Sequence, residues 1–215
     1  MSMTNWCINN IPTNTWNTLL SILPGEDACV FSYKLHNRGA SSANVILGIT
    51  NSAIPALDPP SNIVVTPQGT AGTTTYSYRV SAVNARGETL GSTAVTTETG
   101  NLILDSINFN RITWDAVSGA IQYNVYGREV DNEKYIGTTT SLSYDDTGII
   151  TPTNFPPIIN TTHIKFRFIQ DNMTSLEQIN SENERLALMQ NDSLVIFTDN
   201  SFVDIIAFGD LLNIS

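Results

Sequence analysis

Four acidic residues lie close together in the chain: Asp131, Glu133, Asp145 and Asp146. Carboxylates so grouped could ligate calcium or supply the acid and base of a glycoside hydrolase. The spacing fits neither, because no EF-hand pattern surrounds them and no motif sets one carboxylate against another. They are expected to be solvated turn residues at strand ends. The two histidines, His36 and His163, could act as bases or metal ligands. Neither has a partner nucleophile or a His/Cys cluster in the sequence, and turn and linker positions account for them. Ser193 and Ser201 fall in turns without a nucleophile elbow. The glycine-bearing stretch 69–73, GTAGT, has no following lysine and no helix to cradle a phosphate. Cys7 and Cys29 sit in no CxxC or Cys/His pattern, so zinc is unsupported. A disulfide between them is open to the chain, but two buried free thiols are the expectation. Trp6 and Trp16 could stack on a sugar, with core packing or a subunit contact as the preferred role. No catalytic, metal-binding or cofactor-binding residue is therefore assigned, and no cofactor.

The elements around these residues read as strands. In the stretch 110–129, NRITWDAVSGAIQYNVYGRE, Ile112 and Trp114 are two apart, as are Tyr123, Val125 and Gly127. Period two with aromatic and β-branched residues marks strands with one buried face. The small, Gly-broken segment 116–120 reads as the turn of an antiparallel hairpin. In 75–84, TYSYRVSAVN, the residues Tyr76, Tyr78, Val80 and Ala82 share a face, and a turn at 85–88 leads into a returning strand at 90–97. Shorter strands are expected at 63–65, 135–137 and 142–144. Nearer the ends, turn chemistry at 36–42 predicts a second hairpin, roughly of 28–37 and 43–50. Strands are also expected at 164–168, 194–198 and 202–208. The stretch 175–185 has some helix propensity, but strand and loop are preferred because its surroundings are β.

Two Pro-rich segments, IPALDPP at 54–60 and TPTNFPP at 151–157, cannot join a central ladder and bracket the middle of the chain. The outer thirds are each too small to be stable alone. The expected architecture is all-β with two β-sandwiches: an outer one built from residues 1–58 plus 158–215, and an inserted one, an immunoglobulin-like sandwich of residues 59–157.

The 215 residues are 41% hydrophobic but only 14% charged, with a formal net charge of −10. An acidic chain without a Lys/Arg cluster repels phosphate backbones, so no nucleic-acid partner is expected. The opening MSMTNWCINN lacks a basic stretch followed by an apolar core. No apolar run is long enough to cross a membrane, so no membrane partner is expected either.

The middle segment resembles fibronectin type III modules, on Ile112-Thr113-Trp114, Tyr123-Asn124-Val125-Tyr126 and the run 75–89. In that family the Trp strand precedes the Tyr-rich strand resembling 75–89. Here the order is reversed, so the segment resembles a circularly permuted member of the kind associated with tailed-bacteriophage structural proteins. The outer stretches NNIPTNTWNTL, FSYKLHNRGASSANVILGI and MQNDSLVIFTDNSFVDIIAFG are similar to small β-sandwich proteins of phage virions. The resemblance implies a non-enzymatic structural component of a tailed-phage virion, assembled in the host cytoplasm. It would oligomerise through the outer sandwich, project the inserted domain, and have other virion proteins as partners. A tail, baseplate or fibre position is favoured by analogy. Capsid decoration, or a carbohydrate-binding adhesin that contacts host surface glycans, is the alternative. A glycan-degrading enzyme would need an opposed carboxylate pair, which the sequence does not offer.

Overall fold

The computed structural model describes residues 3–181 and 186–213. It contains sixteen strands, numbered in chain order, and no helix among the described residues. The chain forms two compact units, Met1–Pro55 with Ile164–Ser215, and Ala56–His163.

The first unit has two antiparallel sheets. One orders β1 (Met3–Ile8), β16 (Val203–Asn213) and β3 (Glu26–Asn37), with β13 (Gln178–Ser181) and β14 (Leu186–Leu188) both along the far side of β3. The other orders β12 (Ile164–Met173), β4 (Ala43–Asn51), β15 (Asp192–Thr198) and β2 (Trp16–Ser21). Strands from the opening and closing thirds are direct neighbours: β3 pairs with β16, and β4 lies between β12 and β15. Their inward faces form one aliphatic core that includes Val30, Leu35, Val45, Leu47, Leu194, Ile196 and Ile205. The central strands β4 and β15 are buried on both faces. That is why VILGI and LVIF read as continuous apolar runs rather than alternations.

The second unit is a seven-stranded sandwich. Three strands order as β11 (Ser143–Asp146), β8 (Phe109–Thr113) and β5 (Val64–Gln68). Four order as β10 (Lys134–Thr139), β9 (Gln122–Arg128), β6 (Thr74–Val83) and β7 (Val95–Gly100). Pro67 lies in β5, an edge strand, where its missing N–H removes no ladder bond from a second neighbour. Tyr76, Tyr78, Val80 and Ala82 of β6 face a core shared with Ile112, Trp114, Tyr123 and Val125. Gly127 continues the inward row of β9. The Tyr78 ring fills the space that a Cβ at 127 would need, approaching to 2.6 Å.

Several sequence expectations are corrected. Residues 38–42 do not close a hairpin, since β3 and β4 lie in different sheets. Residues 116–120 likewise carry the chain from β8 to β9 across the sandwich. The return along β6 begins only at Val95. Before it, Thr89 and Ser92 imitate a ladder with side chains. The N–H of Thr89 donates to Ala82 O at 2.9 Å, and its Oγ1 accepts from Ala82 N at 3.0 Å; Ser92 does the same for Val80 at 2.8 and 3.0 Å.

The segment 151–157 is not a free linker. Tyr135 N donates to Asn154 O at 2.7 Å, and Thr153 N to Tyr135 O at 3.1 Å, so it runs along the edge of β10. The units therefore divide at 55/56 and 163/164 rather than 58/59 and 157/158. Thr161 and Thr162 bond to Glu88 and Asn84, which ties the last residues of this unit to the turn that follows β6. Entry and exit are clasped together: Leu57 N donates to Thr162 Oγ1 at 2.8 Å, and Asn160 Nδ2 to Leu57 O at 2.7 Å. Strand β13 fits the preference for strand and loop at 175–185; residues 182–185 lie outside the described residues.

Candidate functional site

Three of the four carboxylates singled out in the sequence are engaged, each with partners of its own. Asp145 is exposed on β11 and takes both Nε and Nη2 of Arg111, each at 2.7 Å. Asp146 points the other way and is 1% exposed. The expectation of a solvated turn residue is wrong for it, because alternation along β11 turns it inward to meet a cation from the facing sheet. Arg128 donates to its two oxygens at 2.8 and 2.7 Å, Tyr78 Oη donates at 2.9 Å, and Gly148 N at 3.1 Å. Asn110 Nδ2 donates to Tyr78 Oη at 2.8 Å. The Tyr78 hydroxyl is pushed far above its ordinary value, first by burial and then by the charge of Asp146. Such a network binds the two sheets but leaves Asp146 no lone pair facing solvent.

Glu133 is also buried rather than solvated. It accepts from Ser77 Oγ and, at 3.1 Å, from Arg79 Nε. Burial raises its pKa, but the bonds from Ser77, its own N–H and Arg79 outweigh that and hold it below the usual carboxylate range. Asp131 is exposed with φ of 60°, in the turn before Glu133.

The other candidates disperse as well. His36 lies within β3 rather than in the turn, opposite Asp204 of β16. His163 is half-buried ahead of β12, and burial lowers its pKa. Ser193 is in β15, its Oγ 3.0 Å from that of Ser21, and Ser201 is an exposed turn residue. Cys7 and Cys29 are free, as expected, but not both buried: Cys7 is exposed on β1 and Cys29 half-buried. Trp6 packs against the aliphatic core, and Trp16 contacts Phe197 with ring centroids 6.0 Å apart. Neither forms a free platform. Among the described residues no group of three or more His, Cys, Asp and Glu is placed to hold a metal ion, and no helix is long and apolar enough to cross a membrane.

One concave feature that forms was not singled out in the sequence. On the outer side of the four-stranded sheet, Tyr126 of β9, Tyr135 of β10, Phe155, Glu88, Asn124 and Asn154 line an open groove of about 350 Å³. The backbone pairing of 153–154 with Tyr135 carries Phe155 to its rim, 61% exposed. Tyr126 and Tyr135 meet edge-on, with centroids 6.0 Å apart, and Lys134 Nζ stands 5.1 Å from the Phe155 ring centroid. Glu88 Oε1 accepts from both Ser81 Oγ and Tyr126 Oη. The Tyr126 hydroxyl is raised well above its usual range, by burial first and by the Glu88 bond second. The exposed Phe155 ring, with the half-buried Tyr135 beside planar amides and a carboxylate, suits a ligand with apolar C–H faces and hydroxyl edges. Compared with known proteins, the chain matches no family model, no curated protein and no solved structure.

Proposed function

We propose that the protein is a non-enzymatic structural component of a tailed-phage virion, assembled in the host cytoplasm, in which the outer unit provides attachment and the middle unit is a fibronectin type III-like module. One observation carries the reading. The two ends of the chain share a single interior, and a second sandwich with its own interior is spliced between the paired strands β4 and β12. An architecture that keeps a module intact within a closed host suits a part that holds and displays. The buried carboxylates agree with it, since Asp146 and Glu133 are each committed to cross-strand bonds. The exposed sheet edges give other virion proteins or further copies a means of strand addition.

Mass spectrometry of purified particles tests the reading. The chain is expected at a few to a few dozen copies if it belongs to the tail, baseplate or fibre, and at hundreds if it decorates the capsid. Its absence from particles contradicts the proposal. The aromatic groove favours a second reading, a module that binds host glycans. It predicts binding to host surface polysaccharide that Phe155→Ala or Tyr135→Ala abolishes.

A further inference from the structure

The four-stranded sheet of the first unit ends in a cluster that has the parts of an amide-forming site. Asn51 and Asp192 are direct partners across β4 and β15. By alternation they continue the inward rows of Val45, Leu47 and Ile49 and of Leu194 and Ile196, past the end of the aliphatic core. Lys165 comes from β12, on the other side of β4. The ladder shifts between Ile164 and Phe166, which leaves Lys165 at a bulge, and bulges re-aim side chains. Residues 51 and 165 also flank the splice, since the second unit is the chain 56–163.

Asp192 holds two nitrogens at once. Lys165 Nζ donates to its Oδ1 at 3.0 Å and its Oδ2 at 2.8 Å, and Asn51 Nδ2 donates to the same Oδ1 at 2.6 Å. Met189 N donates to Oδ2 at 3.1 Å and fixes the carboxylate in place. Asp192 is 1% exposed. Burial opposes its ionisation, but the bonds from Asn51, Lys165 and Met189 prevail and keep it a carboxylate. Asn51 Oδ1 accepts from Ala53 N at 2.9 Å, so a backbone donor polarises the side-chain carbonyl. An amine, a carboxamide, a carboxylate bonded to both and a donor on the carbonyl are the groups that transamidation needs.

We propose that Lys165 and Asn51 join in an intramolecular amide bond, with Asp192 as the acid–base group. Asp192 takes a proton from the Lys165 ammonium. The freed amine adds to Asn51 Cγ and forms the new C–N bond, while Ala53 N–H holds the oxygen on which charge gathers. Asp192 passes its proton to the former Nδ2, the old C–N bond breaks with its electron pair on the leaving nitrogen, and the carbonyl re-forms. Asp192 then takes the second proton from the joined nitrogen and gives it to the departing ammonia. The products are one secondary amide and one ammonium ion, with Asp192 again a carboxylate and no oxidant or cofactor consumed. The Lys165 side chain keeps 42% of its surface, which leaves the ammonium a way out. The ion pair is the state before the bond closes.

The bond closes the first unit at the splice. The chain 52–164 becomes a loop with covalently held ends, so unfolding of the second unit, or a pull on it, no longer unzips β4 from β12. The reaction needs the purified chain alone, and its outcome is independent of what particles contain.

Intact-mass measurement of the full chain, aged in neutral buffer, is the test. The wild type is expected to fall below its sequence mass by one ammonia, about 17 Da. A proteolytic digest should then yield a branched peptide joining the segments that hold Asn51 and Lys165. Lys165→Arg keeps a cation beside Asp192 but cannot form the amide, and it should retain the full mass. Asp192→Asn should slow closure by at least about tenfold; if that variant fails to fold, the wild-type peptide map still decides. A wild type that keeps its full mass overturns the proposal. So does a deficit that Lys165→Arg shares, because an asparagine imide elsewhere loses the same ammonia, or a branched peptide that joins other residues. Closure of Asp192→Asn at the wild-type rate would overturn the part given to Asp192.

Discussion

The two units join their sheets by different chemistry. In the first, Val30, Leu35, Leu47, Leu194, Ile196 and Ile205 meet across the sandwich, with Tyr33 the one buried ring in that core among the described residues. Its strands are long, β3 having 12 residues and β16 having 11, so aliphatic area alone is plentiful. In the second, the three-stranded sheet is built of strands of four or five residues. Rings supply the missing area: Trp114 and Tyr123 meet edge-on at 5.4 Å between centroids. The Asp146–Arg128–Tyr78–Asn110 network then ties one sheet to the other. An aliphatic interior adapts to volume-conserving changes, whereas a buried ionic network fails when any one member is lost.

The largest effect is therefore expected at Asp146. Asp146→Ala strands the Arg128 guanidinium and the Tyr78 hydroxyl and should destabilise the second unit by about 3–5 kcal/mol. Denaturation followed through Trp114 will show it, and the first unit should be untouched. Ile196→Ala should cost the first unit about 2–5 kcal/mol, and Ile196→Val only about 1 kcal/mol. An equal penalty for both would mean that this interior is as exacting as the network. Tyr78→Phe keeps the ring and removes two hydrogen bonds; about 1–3 kcal/mol is expected in urea titrations.

Titration sharpens the contrast. In the second unit burial raises Glu133, but its bonds win and depress it. In the first, burial likewise opposes depression of Asp192 and Asp204, and the bonds from Asn51 and Lys165, and from Arg38, prevail. Groups depressed on folding stabilise above the unfolded values, 4.5 for Glu and 3.8 for Asp, and lose that contribution as pH falls through their lower folded values. Acid should therefore weaken both units. Four tyrosines of the second unit, Tyr76, Tyr78, Tyr126 and Tyr144, are held above their usual range, and burial is the first cause for each. Their contribution is complete below the unfolded value of 10.0 and declines as pH rises toward the folded values. Alkali should therefore weaken the second unit, and calorimetry at pH 7 and above 10 checks this. The smallest effect belongs to Arg111→Ala. Its ion pair with Asp145 has side chains 48% and 38% exposed and is screened by water, so the variant should be hard to tell from the wild type in urea titrations.

The inward faces of strands were readable because alternation is a local property, as at Tyr76-Ser77-Tyr78-Arg79-Val80 and at Ile112 with Trp114. Pairing was not. The turn residues at 38–42 and 116–120 look the same whether the chain returns within one sheet or crosses to the next, and in both places it crosses. Ser92 resembled a strand residue, yet it and Thr89 imitate a ladder with their hydroxyls, a role no periodicity announces. The buried fate of Asp146 depends on Arg128 of another strand. The groove was hidden for the same reason: Tyr126 and Tyr135 read as strand filler, and Phe155 as part of a linker. Its exposed ring inside a proline-rich segment was the signal that the site left in the sequence.

Excising the second unit tests the central claim most directly. Residues 56–163 would be replaced by a short Gly/Ser bridge from Pro55 to Ile164, spanning the two ends that β4 and β12 already hold together. The shortened chain is predicted to unfold cooperatively, with amide protection retained along β3, β4, β15 and β16. A shortened chain without a cooperative transition would contradict the claim that the two ends close on a common interior by themselves.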